Sequence, residues 1–275
     1  MKRKKFHADT DTSSKSLKTV YGYLLIVFSV VVIGLIVRGI FIYQNSTFNP
    51  EQQYVFAVID QGSVKQIISI NPQTPSLTRM IINDTRVPYI SLAKSYGIGT
   101  DAFIETNTLI DANTDINALL LESLQKKHVI STNMTVIDLS RLLLVTKDIT
   151  TSNTDTLDLT LSETDATTNT TIAQALTDPI IATENVSIQV INATSVSGLG
   201  QRLGRVLTNR GANVVDVTSS RTLEKKSTIT YFGEQSYTLQ RVIAMLQYPA
   251  TETLQRPIAN IVIILGEDSR STATF

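Results

Sequence analysis

The stretch VINATSVSGLGQRLGRVLTNRGANVVDV, Val190 to Val217, has the pattern of a strand, a glycine turn, a helix and a second strand. A dinucleotide-binding turn needs G-x-G-x-x-G and an acidic residue about 20 positions later. Of Gly198, Gly200 and Gly204, the third falls one position late. We therefore expect a tight turn and close helix–sheet packing, with a weak anion site at the helix start as the alternative.

The elements that flank this stretch predict a small α/β sandwich. The expected strands are VSIQVIN, NVVDVT, STITYFG and ANIVIILG, and the expected helices cover Gly198–Arg210 and Gln235–Leu246. The last strand is almost continuously apolar, which predicts a central position in the sheet.

An earlier part of the chain predicts a second α/β region. Short β-branched runs, YVFAVI, KQIISINP and SLTRMIIND, indicate a three-stranded meander with a turn at Asn71-Pro72. Residues 104–126, with Leu109 and Ile110 among their apolar positions, predict one or two helices. MTVIDLSRLLLVTKD predicts a short strand that leads into a helix. Residues 150–184 are rich in Thr, Asp and Asn and predict a linker, with one edge strand at TLDLTLS.

An apolar segment near the start predicts a transmembrane helix. Residues 20–43 carry one charge, Arg38, and are long enough to span a bilayer core of about 30 Å. A cleaved signal peptide is the alternative, but no small-x-small cleavage site follows. Residues 1–19 are basic, so the positive-inside rule predicts a cytoplasmic tail and places the rest of the chain outside.

Composition excludes several classes of function. Lys plus Arg and Asp plus Glu are 24 each, so no net charge attracts nucleic acid. The chain has no cysteine, which favours a bacterial envelope protein over a disulfide-rich ectodomain. With His7 and His128 as the two histidines, a zinc site is excluded, and a catalytic triad would depend on His128 alone.

Residues 185–268 resemble the C-terminal domain of LytR-type cell-envelope proteins. The resemblance rests on an ordered series of short motifs: a strand that ends in Asn-Ala-Thr, a Gly-Leu helix start, a glycine helix end, a Thr-x-x-Tyr strand and a closing ILGED. The residues that carry it are Asn192, Thr194, Gly198, Leu199, Gly211, Thr228, Tyr231, Gly266 and Asp268.

Residues 54–149 resemble a degenerate, shortened LytR-CpsA-Psr (LCP) domain. Active members transfer glycopolymers from a polyprenyl pyrophosphate to peptidoglycan, which implies arginines for the pyrophosphate and acids for a divalent metal. The family's Arg-Ser-Asp corresponds here to Gln61-Gly62-Ser63, and its Pro-Arg-Asp-Thr to residues 82–85, Ile-Asn-Asp-Thr. Both motif arginines are missing, so the positive charge that pyrophosphate chemistry requires is not supplied.

The remaining catalytic candidates are Asp84, Arg79 and Arg86; we interpret the two arginines as solvated strand-end charges and Asp84 as an ordinary surface residue. Asp60, Asp84 and Asp101 would have to gather to hold Mg²⁺, the cofactor that a phosphotransferase would need. The basic residues of the last domain predict a solvated basic edge: Arg202, Arg205, Arg210, Arg221, Lys225 and Lys226.

The sequence thus predicts a single-pass, membrane-anchored protein of the bacterial envelope, with its folded α/β domains outside the cytoplasm. The favoured role is non-catalytic binding or organisation of wall components, with wall polymer or an envelope protein as partner and no resident cofactor. A divergent LCP phosphotransferase is the alternative, so the question of enzyme activity stays open.

Overall fold

The computed structural model describes residues 11–84, 86–107, 115–126, 129–161, 166–255 and 257–272. The chain divides after Ser46 into two compact units. The first unit contains a long helix, and the second contains two β-sheets with their helices. The mixed α/β class predicted from the sequence is confirmed.

The N-terminal helix, α1, runs from Asp11 to Gln44. Its segment Val20–Gln44 reaches a mean hydropathy of 2.8 and is long enough to cross a membrane. The helix begins before the predicted span of residues 20–43 and includes the end of the predicted basic tail. Residues 1–10, with His7, lie outside the described residues.

The first sheet is built from short strands of the N-terminal half of the second unit. Their bounds are β1 Tyr54–Asp60, β2 Ser63–Asn71, β3 Ser76–Ile82, β4 Ala102–Thr106, β5 Ser131–Thr132 and β6 Thr154–Leu159. The order across the sheet is β5-β4-β1-β2-β3-β6. The strands β1, β2 and β3 pair antiparallel in succession, which confirms the meander, while β4 runs parallel to β1 and β6 parallel to β3.

Helices cover both faces of this sheet. They are α2 Tyr89–Tyr96, α3 Ile116–Gln125, α4 Val136–Lys147 and α5 Ala166–Leu176. Alternate residues of a strand point to opposite faces, so Phe56 packs in the core under α3 and α4, while Val55 packs in the core under α2 and α5. All of β1 is buried because side chains fill both cores.

Two predictions for this region need correction. Residues 102–106 form the strand β4, not a helix, because Ala102, Ile104 and Thr106 alternate into the core. The strand predicted at the start of MTVIDLSRLLLVTKD is replaced by β5, which ends before this stretch. The helix predicted after it is confirmed as α4, and a capping box of Thr135 and Asp138 begins it. Leu109, Ile110 and His128 lie outside the described residues.

The predicted linker, residues 150–184, is built into the fold. It supplies the edge strand β6, as TLDLTLS predicts, then α5 and a short helix α6, Pro179–Glu184. Ile172 and Leu176, one helical turn apart, are fully buried despite the polar composition, so this part of the segment packs into a core. Its assignment as a linker between domains stays a prediction. The bounds of the two predicted domains, 54–149 and 185–268, stay a prediction.

The second sheet agrees closely with the sequence. Its strands are β7 Ser187–Asn192, β8 Asn213–Ser219, β9 Thr228–Tyr231, β10 Ala250–Glu252 and β11 Ile261–Leu265. The order is β10-β9-β11-β7-β8, so the apolar strand β11 is central, as predicted. The helices α7, Leu199–Asn209, and α8, Tyr237–Leu246, match the two predicted helices, and a short α9, Ser269–Thr272, follows.

The glycines of the opening stretch have the roles expected for a turn. Gly198 has a φ of +79° at the start of α7, a conformation that favours glycine. A Cβ on Gly204 would lie 3.1 Å from a methyl carbon of Val217, so the glycine lets α7 approach the sheet closely.

Gly266→Ala is expected to lower the free energy of unfolding by about 3 kcal/mol, because the added methyl would overlap the backbone of Lys226. Gly233→Ala is the matched control, since Gly233 has a φ of +89° but open space around it, and backbone strain alone costs about 1 kcal/mol. Urea unfolding measures the loss of unfolding free energy in both variants. Equal costs for the two variants would contradict the close approach at Gly266.

Candidate functional site

The three catalytic candidates of the first sheet lie in different surroundings. Asp84 Oδ2 accepts a hydrogen bond of 2.6 Å from the Leu161 N–H and so ties the end of β3 to the end of β6. Arg79 lies within β3 opposite Ile68, where burial lowers its pKa and the charge of Asp115 acts against that. Arg86 is exposed. A catalytic role for these residues stays a prediction.

The positions that correspond to the family's Arg-Ser-Asp form a hairpin turn. Gln61 and Gly62 connect β1 to β2 with φ angles of +49° and +75°. Ser63 Oγ accepts a hydrogen bond of 3.1 Å from the Val87 N–H. These three residues therefore shape and fasten the backbone of the turn. Thr85, at the second motif, lies outside the described residues.

The three carboxylates considered for Mg²⁺ do not gather. Asp60 ends β1, whereas the Asp101 N–H donates to the Val55 carbonyl near the start of the same strand. The carboxylate of Asp84 bonds Leu161. Within the described ranges, no group of three or more Asp, Glu or His side chains is placed to hold a metal ion.

The strongest charge cluster of the described residues joins the two sheets. Asp101, before β4, lies between Arg210, at the end of α7, and Arg241, in α8. Arg210 Nη2 is 3.3 Å from Asp101 Oδ2, and Arg241 Nη2 is 3.6 Å from Asp101 Oδ1. The two arginine side chains are only 2% and 7% exposed. We call these three residues the buried charge cluster.

Backbone and side-chain bonds hold each arginine in place. Arg210 Nη2 donates to the Gly99 carbonyl at 2.9 Å. Arg241 donates to Gln52 Oε1 and to the Gln53 carbonyl, both at 2.9 Å. Arg210 Nε, Arg210 Nη1 and Arg241 Nε are buried without a hydrogen-bond partner among the described residues. A cavity of about 220 Å³ with a mixed polar and apolar lining lies beside both arginines.

Electrostatics explain why the cluster keeps its charges. Burial by itself would raise the pKa of Asp101, but Arg210, Arg241 and the Val55 N–H outweigh it and hold that pKa below its usual value. Burial lowers the pKa of Arg210, and the Asp101 carboxylate opposes the shift. The arrangement therefore favours a charged carboxylate between two guanidinium groups.

Part of the predicted basic edge is turned towards the first sheet. Arg210 is buried, and Arg205 donates to the Ser95 carbonyl at the end of α2, so these two arginines are not solvated edge residues. Arg205 lies where α7 packs against α2, because Gly97 leaves room for its side chain. Arg210 follows α7 and contacts the Gly99 carbonyl. The exposed members are Arg221, Lys225 and Lys226.

The motif residues of the second sheet build its turns. Asn192 closes the loop after β7: its Nδ2 donates to the Val196 carbonyl at 2.8 Å, and its Oδ1 accepts from the Thr194 hydroxyl at 2.7 Å. Leu199, which begins α7, is buried. Gly211, with a φ of +89°, ends the turn after that helix.

A second set of motif residues joins β9 to the end of β11. Asp268 Oδ1 accepts from the Ser227 N–H at 2.8 Å and from its hydroxyl at 2.6 Å. The Gly266 N–H donates to Ser227 Oγ at 2.9 Å. Thr228 and Tyr231 are the first and last residues of β9. Most of the motif therefore specifies the shape of the domain, and Tyr231 alone also borders a groove.

Asp101→Asn is expected to lower the free energy of unfolding by about 3–5 kcal/mol, because it leaves two buried guanidinium groups without a counter-charge. Asp155→Asn, on the exposed edge strand β6, is the matched control and should change stability by less than about 0.5 kcal/mol. Urea unfolding of the full chain in detergent measures both, and a D101N cost as small as the control would contradict the proposed role.

The pH dependence of D101N gives a separate check. The folded pKa of Asp101 lies below 3.8, so its stabilisation is complete above that value and is lost as pH falls through the folded pKa. The difference in unfolding free energy between native and D101N protein should stay constant from about pH 7 to 5 and shrink below about pH 4. A difference that does not shrink would exclude an ionised Asp101.

Comparison with known proteins identifies one part of the chain. A family model described as LytR cell envelope-related transcriptional attenuator matches residues 185–268. No curated protein and no solved structure matches the chain. No family match covers the predicted LCP-like domain, residues 54–149. Residues 185–268, which hold the second sheet and both arginines of the buried charge cluster, are therefore similar to the C-terminal domain of LytR-type cell-envelope proteins.

Proposed function

We propose that this protein is a membrane-anchored, extracytoplasmic protein of the bacterial cell envelope that binds or organises wall components without catalysing glycopolymer transfer. The LytR C-terminal domain supports an envelope role. The apolar segment Val20–Gln44 supplies the anchor. Wall polymer is the favoured partner, and an envelope protein is the other.

The observation that supports a non-catalytic role is the structural role of the residues at the positions compared with the LCP motifs. Gln61 and Gly62 form a hairpin turn, and the Asp84 carboxylate accepts a backbone N–H. Glutamine and glycine carry no positive charge and Asp84 is acidic, so these positions do not supply the charge that stabilises a leaving pyrophosphate. The two cores of the sheet are filled by side chains, whereas a polyprenyl chain would need an apolar channel.

A divergent phosphotransferase is the second candidate, and the buried charge cluster is what favours it. Arg210 and Arg241 border a cavity and have N–H groups without a partner in the described ranges. The cavity of about 220 Å³ is below the usual range of about 300–1,000 Å³ for ligand pockets. Transfer of a labelled glycan from a polyprenyl pyrophosphate donor to sacculi, dependent on Mg²⁺, would establish this alternative.

The orientation of the chain can be tested with introduced cysteines, because the native protein has none. The basic residues before α1 predict that Ser13 is cytoplasmic and Gln240, exposed on α8, is outside. A membrane-impermeant maleimide should label Gln240→Cys on intact cells and Ser13→Cys only after permeabilisation. The reverse pattern would overturn the proposed orientation.

Wall binding can be tested by sedimentation with purified sacculi. Residues 1–19 carry a net positive charge and the whole chain has none, so the remaining chain is net acidic and attraction to anionic polymer is not expected. Full-length protein in detergent should sediment with sacculi. The sedimented fraction should change less than about twofold between 0.1 M and 1 M salt, although the Debye length falls from about 10 to 3 Å, because the binding does not depend on charge.

Two controls accompany the sedimentation. Sacculi stripped of secondary glycopolymers show whether peptidoglycan alone is sufficient, and cellulose measures non-specific retention. Absence of retention at every salt concentration would contradict wall binding.

A further inference from the structure

An open groove of about 380 Å³ lies at the end of the second sheet where β7 and β11 begin. The end of α6, the end of β9 and the start of α8 form its walls. Its side chains of chemical interest are Glu184, Asn185, Tyr231, Phe232, Glu234 and Asn260. Its volume falls at the lower end of the range of about 300–1,000 Å³ for ligand pockets, which suits one or two sugar rings.

Two neighbouring aromatic rings border the groove, and both are partly exposed. Tyr231 packs partly against the core of the second sheet. Phe232 belongs to none of the three apolar clusters that the described residues form, so core packing does not account for its ring. A partly exposed aromatic ring such as that of Phe232 offers an apolar platform, and the Tyr231 hydroxyl, which accepts a hydrogen bond of 3.3 Å from Gln235 Nε2, adds a polar group that can still donate.

Polar groups around these rings match the hydroxyl and amide groups of a sugar. Asn185 is exposed in a left-handed conformation, with a φ of +48°, at the end of α6. Asn260 Oδ1 accepts a hydrogen bond of 2.8 Å from Ser187, which fixes its amide at the start of β11. Two side-chain amides and a tyrosine hydroxyl therefore surround the apolar platform.

Charge restricts the kind of glycan that fits. Glu184 accepts bonds of 2.9 and 2.7 Å from the Tyr237 and Thr238 N–H groups, which hold it as a carboxylate at the start of α8. Glu234 is exposed and adds a second carboxylate. Among the described residues that line the groove, none is Lys, Arg or His. A polyphosphate or uronic acid polymer would be repelled.

We propose that this groove binds an uncharged, N-acetylhexosamine-containing glycan, a substrate class that rests on the wall-binding function proposed above. The sugar ring packs on Phe232 and Tyr231, and the two asparagines and Glu234 bind its amide and hydroxyl groups. The LytR C-terminal domain therefore recognises the glycan backbone of the wall and not its anionic polymers.

Chitohexaose, a neutral N-acetylglucosamine oligomer, is the probe, titrated into full-length protein in detergent by calorimetry. Phe232→Ala should weaken binding about fivefold to tenfold, because the aromatic platform is lost. Leu254→Ala is the matched control, since Leu254 is 94% exposed and does not line the groove. It should bind as the native protein does.

Glu234→Gln tests the polar contact without removing a ring. It should weaken chitohexaose binding about twofold to fivefold, whereas Glu252→Gln, exposed on β10 and outside the lining, should not. Glu234→Lys should allow poly(glycerol phosphate) to bind, which the native protein should not do. Thermal unfolding of each variant confirms that it is folded.

The outcomes separate this inference from the proposed function. Chitohexaose binding that Phe232→Ala and Glu234→Gln leave unchanged, or no binding at millimolar concentration, overturns the groove assignment even if sacculi are retained. Tighter binding of poly(glycerol phosphate) by the native protein also overturns it. Loss of sacculus binding together with normal chitohexaose binding contradicts the proposed function and leaves the groove assignment standing.

Discussion

The placement of the two sheets depends on one buried carboxylate between two buried guanidinium groups. Asp101 comes from the loop that enters β4, whereas Arg210 and Arg241 come from helices of the second sheet. Removing the carboxylate would leave two guanidinium groups without a counter-charge in a poorly solvated place. Gly97 allows α7 to pack closely beside the end of α2, since a Cβ there would lie 2.5 Å from the Arg205 side chain.

This attachment ties the second sheet directly to the first sheet. A polar linker would let the domain move independently of the first sheet. Instead, α5 and α6 pack within the fold, and the Asp178 N–H donates to the Arg210 carbonyl at 3.1 Å. The two sheets are thus packed together in one compact unit.

Local patterns made much of the second sheet predictable, and long-range contacts limited the rest. The strand β11 was identifiable because five successive apolar residues indicate a strand buried on both faces. The strand β4 was missed because its alternation is short and adjoins a helical pattern. The buried charge cluster could not be predicted, since Arg210 and Asp101 are 109 positions apart and isolated charges resemble solvated ones. The groove was missed for the same reason, because Phe232 and Asn185 become neighbours only in the fold.

The central position of β11 has a consequence for biogenesis. This strand pairs with β7 on one side and β9 on the other, yet it is made after both. Until residues 261–265 emerge from the ribosome, β9 and β10 have no bond to the rest of their sheet, and the domain cannot close. Loss of residues 261–265 would therefore separate β9 and β10 from β7 and β8, which damages this sheet far more than the small loss of mass suggests.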